Sequence, residues 1–176
     1  MINTEQLIMI SFIDIEASGF PPQGYAIEVA WNDQNENIHS FLINPYHFTD
    51  KKFEYWSMDS QQIHGISREQ LRNDGVDPYW LVEYLNATVP DVVYSDAVLY
   101  DQWWIDRIYK ACCIERKFKI ETTDRLWFEI CENHDRFEIL DNIYKKVEKT
   151  FPHTHRASDD VKCLLEVYKE YLKLKL

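Results

Sequence analysis

The chain has 176 residues and a mass of 21.2 kDa, the size of one domain, and its 45% hydrophobic and 15% aromatic residues are ample for a packed interior. A formal charge of -11 at pH 7 argues against a protein that coats nucleic acid through a broad basic surface, so any contact with a polyanion has to be local. The first residues lack the basic start of a secretory signal and no apolar run approaches the ~20 residues of a membrane helix, which implies a cytoplasmic protein without a membrane partner.

Residues 7–15 are short and almost continuously apolar, the pattern of a central strand covered on both faces. The run ends on Asp14-Ile15-Glu16. Residues two apart on a strand share a face, so both carboxylates, roughly 6.6 Å apart, finish a row begun by Ile10 and Phe12. Left alone they repel each other and lose solvation; a strand end emerging into solvent is the bland account. Pro21, Pro22 and Gly24 mark a turn into a hairpin of residues 25–31 and 38–43, closed by Asn32-Asp33-Gln34-Asn35. Ser67-Arg68-Glu69-Gln70 has capping-box spacing and predicts a short helix after Ile63-His64-Gly65-Ile66. Asp77-Pro78 opens another helix, and residues 91–95 read as a fourth strand.

Residues 98–113 read as a helix whose inward stripe is Val98, Asp101, Ile105, Ile108 and Cys112. Asp101 places a charge where the pattern demands an apolar side chain, although the helix dipole also favours a carboxylate near that end. A short edge strand over 118–121 precedes helical segments over 124–151, broken near Asn133 and stopped by Pro152. In the last helix Val161, Leu164, Leu165, Tyr168 and Leu172 form an apolar stripe, with Ser158 as the predicted N-cap. His155 and Asp160 would lie about 140° apart within one helix, so they face one site only if His155 precedes it. This order implies α/β layers: a mixed sheet of about five strands flanked by helices, in a single domain spanning 1–176. Cys112, Cys113, Cys131 and Cys163 contain no Cys-x-x-Cys and are expected as buried thiols.

Asp14, Glu16, Asp101 and Asp160, with His155, can converge where the central strand of an α/β fold ends. Four clustered carboxylates need cations, and hard oxygen ligands suit two divalent ions, Mg²⁺ or Mn²⁺.

On these residues the sequence resembles the DEDDh exonucleases of the DnaQ-like family. Phe12-Ile13-Asp14-Ile15-Glu16-Ala17-Ser18-Gly19 is similar to the family's first motif and Ile63-His64-Gly65-Ile66 to its accessory segment. Tyr100-Asp101 is similar to the second motif, and His155 to Asp160, with its His-x4-Asp spacing, to the third. The resemblance implies a ribonuclease H-like fold and a two-metal 3′-to-5′ exonuclease acting on the 3′ ends of single-stranded DNA or RNA. In that scheme Asp14, Glu16, Asp101 and Asp160 hold two Mg²⁺ or Mn²⁺ ions and His155 is the general base.

Two departures stand out. Asp96-Ala97 occupies a place where the family often has His-Asn, and Ala17-Ser18 replaces the commoner Thr-Thr, leaving Ser18 and the Gly19 backbone as candidates for the terminal nucleotide. Arg156, followed by Arg68 and Arg107, is expected to neutralise phosphates, and His64, Tyr100 or Tyr25 to stack on bases. Lys145, Lys146 and Lys149 read as a solvated helix face. Six tryptophans and nine phenylalanines leave room for a homodimer through an exposed patch. A catalytically silent module that binds nucleic-acid ends or a protein is the competing reading, and it must account for the presence of all five catalytic positions.

Overall fold

Strand β1 (Ile13–Ala17) runs antiparallel to β2 (Ala26–Asn32), and β2 runs antiparallel to β3 (Ile38–Leu42). The computed structural model describes residues 10–131, 136–152 and 154–174. Residues 7–9 of the first predicted strand, and the predicted break at Asn133, lie outside that description. The register pairs Asp14 with Ala30 and Glu16 with Glu28, and a bulge follows between Glu16 and Ala17. The carboxylates therefore sit within the ladder rather than at its end, because β2 continues past them to Ala26.

The expected sheet of about five strands is divided in two. Strand β4 (Val92–Ser95) pairs in parallel with β5 (Lys119–Thr122), and β4 touches β1 through an isolated bridge between Phe12 and Tyr94. The parallel alignment explains the interruption: two residues beyond Phe12–Tyr94 it sets Asp14 beside Asp96, where the chain has already turned out of β4.

Seven helices flank the strands among the described residues. The first, α1 (Met58–His64), is capped by Ser57 and ended by Gly65 at φ 71°, a left-handed position that favours glycine. The predicted capping box opens α2 (Arg68–Asp74), and Asp77-Pro78 opens α3 (Pro78–Thr88). Then come α4 (Val98–Cys112), α5 (Thr123–Ile130), α6 (Arg136–Val147) and α7 (Ala157–Lys173). Alternation along the strands sorts the core. Ile13, Ile15 and Val29 pack with Leu81, Leu85, Ile105 and Ile108, while Phe12 and Ala30 pack with Leu126, Ile143, Val161, Leu164 and Tyr168.

Burying each large apolar side chain of the α7 stripe is worth roughly 1.5–3 kcal/mol, which fixes α7, and with it Asp160, to the sheet. Ser158 is not the cap of this helix. It is the second helical residue, Arg156 holds the N-cap position, and neither makes the expected side-chain cap. Of the four cysteines, Cys112, Cys131 and Cys163 are buried as expected, whereas Cys113 is exposed in a left-handed C-cap. No helix of the described residues is long and apolar enough to cross a membrane.

Candidate active site

Asp14 and Glu16 share one face of β1 by strand alternation, and α7 brings Asp160 to that face from its first turn. One carboxylate oxygen from each of the three lies within 4.8 Å of the others. Asp101, fully buried in the first turn of α4, is held by the Ser95 hydroxyl, which donates to Oδ2 at 2.5 Å. Ser95 ends β4, and its Oγ also accepts from the Ala97 amide at 2.9 Å, so the turn that starts α4 is tied to the carboxylate it presents.

The electrostatics record how closely these groups crowd. Burial pushes Asp14 well above the ordinary carboxylate range, and the charges of Asp101, Glu16, Asp160 and Asp96 push it further. Glu16 is raised to about 8, first by burial and then by Asp160 and Glu28, with Arg156 opposing. Asp101 is also raised well above its usual value, first by burial and then by Asp96 and Glu16, against the Ser95 hydrogen bond. Asp96 is therefore a further acid acting on the site from the turn after β4.

Oxygen-only donors in this density fit hard divalent cations. A second observation agrees: among the described residues Asp14 Oδ2 and Asp101 Oδ1 are buried without a hydrogen-bond partner, a costly arrangement for a carboxylate unless a cation neutralises it. Binding such a cation at pH 7 must displace the protons that the raised carboxylates carry. We therefore expect Mn²⁺ binding to release about one proton or more at pH 7 and its affinity to fall as pH is lowered through 8 and below. Calorimetry in two buffers of different ionisation enthalpy measures this; proton-free binding would show that the carboxylates are already ionised.

The remaining predicted residues are placed unevenly. His155 is exposed, in a left-handed conformation (φ 55°) two residues before α7, and so precedes the helix as its pairing with Asp160 requires. Tyr100 is exposed and stacks on Trp104, with Phe20 edge-on to it at 5.7 Å. His64 is buried; its Nδ1 accepts from the Ile66 amide at 3.0 Å, and burial lowers its pKa. It lines a cleft of about 110 Å³ with Glu16, Gly19, Phe20, Ile63 and Trp104. Gly19 gives its carbonyl to the Trp104 indole at 3.1 Å, and a Cβ there would stand 2.6 Å from the Tyr55 ring, so only glycine fits.

Two predicted contacts point elsewhere. The Ser18 hydroxyl is fully buried and accepts from the Tyr25 amide at 3.2 Å, closing the turn instead of facing the cleft. Arg156 donates from Nε (3.0 Å) and Nη2 (2.6 Å) to the two oxygens of Glu28, which is 1% exposed. The Ala157 amide adds a third bond to Glu28 Oε2 at 3.1 Å. A carboxylate on β2 thus caps α7 and fixes the loop carrying His155. The sequence reading passed over Glu28, although it breaks a wholly buried strand with a charge, the same anomaly that exposed Asp14 and Asp101.

No protein-family model matches the sequence. No curated protein matches it either. The fold, however, is shared with solved structures. Escherichia coli Exonuclease I in complex with a dA16 oligonucleotide superposes with a TM-score of 0.60 at 16% identity, covering 92% of this chain and 40% of that one. A 3′-exonuclease that recognises the 3′ end of the histone mRNA stem-loop gives 0.64 at 16% identity, covering 93% and 81%. The ribonuclease domain of the yeast Pop2 protein gives 0.62 at 15% identity, covering 95% and 77%. The chain spans 40% of the Exonuclease I chain, so it corresponds to part of that protein only.

Proposed function

We propose that this chain is a metal-dependent 3′-to-5′ exonuclease of the DEDDh type on a ribonuclease H-like fold, hydrolysing phosphodiester bonds at the 3′ end of single-stranded DNA or RNA. One observation carries the reading: Asp14 and Glu16 of β1 and Asp160 of α7 bring an oxygen each within 4.8 Å of one another, the charge of Asp101 on α4 acts on Asp14, and among the described residues one oxygen each of Asp14 and Asp101 is buried without a hydrogen-bond partner. Sharing a fold with exonucleases on DNA and RNA supports nucleic acid as the substrate class.

In this reading Asp14, Glu16, Asp101 and Asp160 hold two Mg²⁺ or Mn²⁺ ions, which when bound acidify water and offset the charge of the scissile phosphate. His155, exposed in the loop two residues before α7, takes the proton of the attacking water on a ring nitrogen. The cleft along Gly19, Phe20 and His64 receives the terminal nucleotide, with the Phe20 and Tyr100 rings as its outer wall. The Glu28–Arg156 pair keeps His155 and Asp160 at their separation from β1.

Single strands labelled at the 5′ end, as DNA and as RNA, should shorten stepwise from the 3′ end with Mg²⁺ or Mn²⁺. Cleavage of a circular single strand would rule out an exonuclease. His155→Ala should lower turnover by about 10² to 10⁴ while keeping the thermal stabilisation by Mn²⁺, roughly 2.7 kcal/mol at a hundredfold excess over Kd. Near-normal turnover of this variant would remove His155 from the mechanism.

A further inference from the structure

An acidic exonuclease still has to hold a polyanion, and the cations of this chain are unevenly spread. Residues 1–50 contain no Lys or Arg, whereas residues 51–111 contain Lys51, Lys52, Arg68, Arg72, Arg107 and Lys110. Lys52 pairs with Asp50 at 3.0 Å, but among the described residues the other five have no carboxylate within 4.0 Å. Elsewhere pairing is usual: Arg116 with Asp106, Arg125 with Glu129, Arg156 with Glu28, Lys169 with Glu36.

The unneutralised cations lie among aromatic rings. Arg72 sits over Tyr46 at 4.3 Å, Arg68 over Trp56 at 5.3 Å and Arg107 over Phe53 at 5.7 Å. Two clefts meet there, with Asp50 and Phe53 as common walls. One, about 410 Å³, is lined by Arg68, Arg72 and Tyr46; the other, about 940 Å³, by Lys52, Arg107, Lys110 and Trp103. Five cations thus line them against three carboxylates, Asp50, Glu54 and Asp106, and Asp50 and Asp106 are already paired with Lys52 and Arg116. The local excess is positive on a chain of net charge -11.

Helix α4 joins this region to the acid cluster. Asp101 stands in its first turn, and Lys110, nine residues on, lies about 13.5 Å further along the axis. Tyr100, packed between Phe20 and Trp104, leads round the helix to its outer face, where Leu99 is 83% and Trp103 45% exposed. Arg107 fastens the two sides by donating to the Pro22 and Lys52 carbonyls.

We infer that the double cleft binds the single-stranded nucleic acid lying 5′ of the end held at the acid cluster, its phosphates meeting Arg72, Arg107 and Lys110 and its bases stacking on Trp103 and Tyr46. Cations supply affinity for the backbone and exposed rings supply sequence-tolerant stacking. At ~3.4 Å per stacked nucleotide the axial rise from Asp101 to Lys110 alone takes about four nucleotides, and Lys110 lies about 180° round α4 from Asp101, so a trinucleotide does not reach it. The inference rests on the nuclease reading for its direction.

The test compares a 12-nucleotide strand with a trinucleotide by fluorescence anisotropy over a salt series, with Mn²⁺ present and in a His155→Ala background, which keeps the metal and slows cleavage by about 10² to 10⁴. The double variant Arg72→Gln, Lys110→Gln is built on exposed side chains that among the described residues pair with no carboxylate within 4.0 Å. It should weaken the 12-mer severalfold more than the trinucleotide and flatten the plot of log affinity against log salt by about 1.4, or ~0.7 per lost phosphate contact. Trp103→Ala should weaken the 12-mer at every salt concentration with the slope unchanged. An unaltered slope in the double variant, or equal weakening of both ligands, overturns the inference, as does equal competition by polyglutamate, which offers charge without bases. If wild-type protein trims strands but the double variant binds as before, the cleft is wrong and the exonuclease stands. If the cleft binds as described and no strand is ever cut, the exonuclease reading falls.

Discussion

Replacing Asp14 by asparagine is expected to abolish hydrolysis and, at the same time, to make the metal-free protein more stable. The first effect follows from the site's chemistry. A catalytic divalent ion contributes several kcal/mol of transition-state stabilisation, and losing ~4 kcal/mol slows a reaction about 10³-fold. The second follows from burial. Asp14 is raised well above an ordinary carboxylate, so ionising it in the folded chain is uphill. A group whose folded pKa exceeds its unfolded one supports folding fully below the unfolded value and loses that support as pH rises through the folded value. Glu16 shows the window plainly, from 4.5 to about 8. Asparagine keeps the shape, removes the charge and relieves its neighbours.

Thermal melting at pH 5 and pH 8, with and without Mn²⁺, separates the two effects. Without metal the variant should melt above wild type by a margin that widens at pH 8. With Mn²⁺ wild type should rise and the variant should not. A variant that melts lower than wild type in the absence of metal would mean that Asp14 is not strained, and one that keeps the Mn²⁺ shift would mean that it is not a ligand.

Much of this arrangement was legible because it rests on short-range geometry. Alternation sets Asp14 and Glu16 on one face of β1 whatever strand lies beside it, and helical periodicity exposes Asp101 as a charge on an inward stripe. The capping box of α2 and the Asp77-Pro78 start of α3 are likewise local. What was missed depends on partners distant in the chain. The extent of β1 is set by β2, and Ser158 looked like a cap because the true acceptor for the Ala157 amide, Glu28, lies 129 residues away. Helix α1 was overlooked for another reason: Met58-Asp59-Ser60-Gln61-Gln62-Ile63 offers no apolar stripe, and both Met58 and Ile63 end exposed. Its caps, Ser57 and Gly65, were the available signal. Fidelity to local rules also misdirected Arg156, which looks like a phosphate ligand beside His155 until Glu28 is seen beneath it.

That pair yields the largest expected loss of stability. Arg156→Ala should destabilise the protein by about 3 kcal/mol, the low end for breaking a buried ion pair, because it strands Glu28 without its counter-charge. The two partners are not equivalent. The Glu28 side chain is 2% exposed and the Arg156 side chain 40%, so an arginine deprived of its partner can turn to water whereas the carboxylate cannot. Glu28→Gln should therefore cost less, about 1.5 kcal/mol, since the amide oxygen still accepts from the Ala157 amide or the guanidinium. Lysine at 156 should not restore the loss, because a single ammonium cannot reproduce the two-pronged contact of Nε and Nη2. The damage should extend to turnover: Ala157 anchors the start of α7, His155 lies two residues before it and Asp160 three after, and a displacement of ~1 Å in a reacting group can cost about 10²-fold. Urea unfolding of the three variants ranks the stabilities. A loss of ~1 kcal/mol or less for Arg156→Ala, fading further in high salt, would class the pair as an ordinary surface contact and leave the placement of His155 and Asp160 to the apolar stripe of α7 alone.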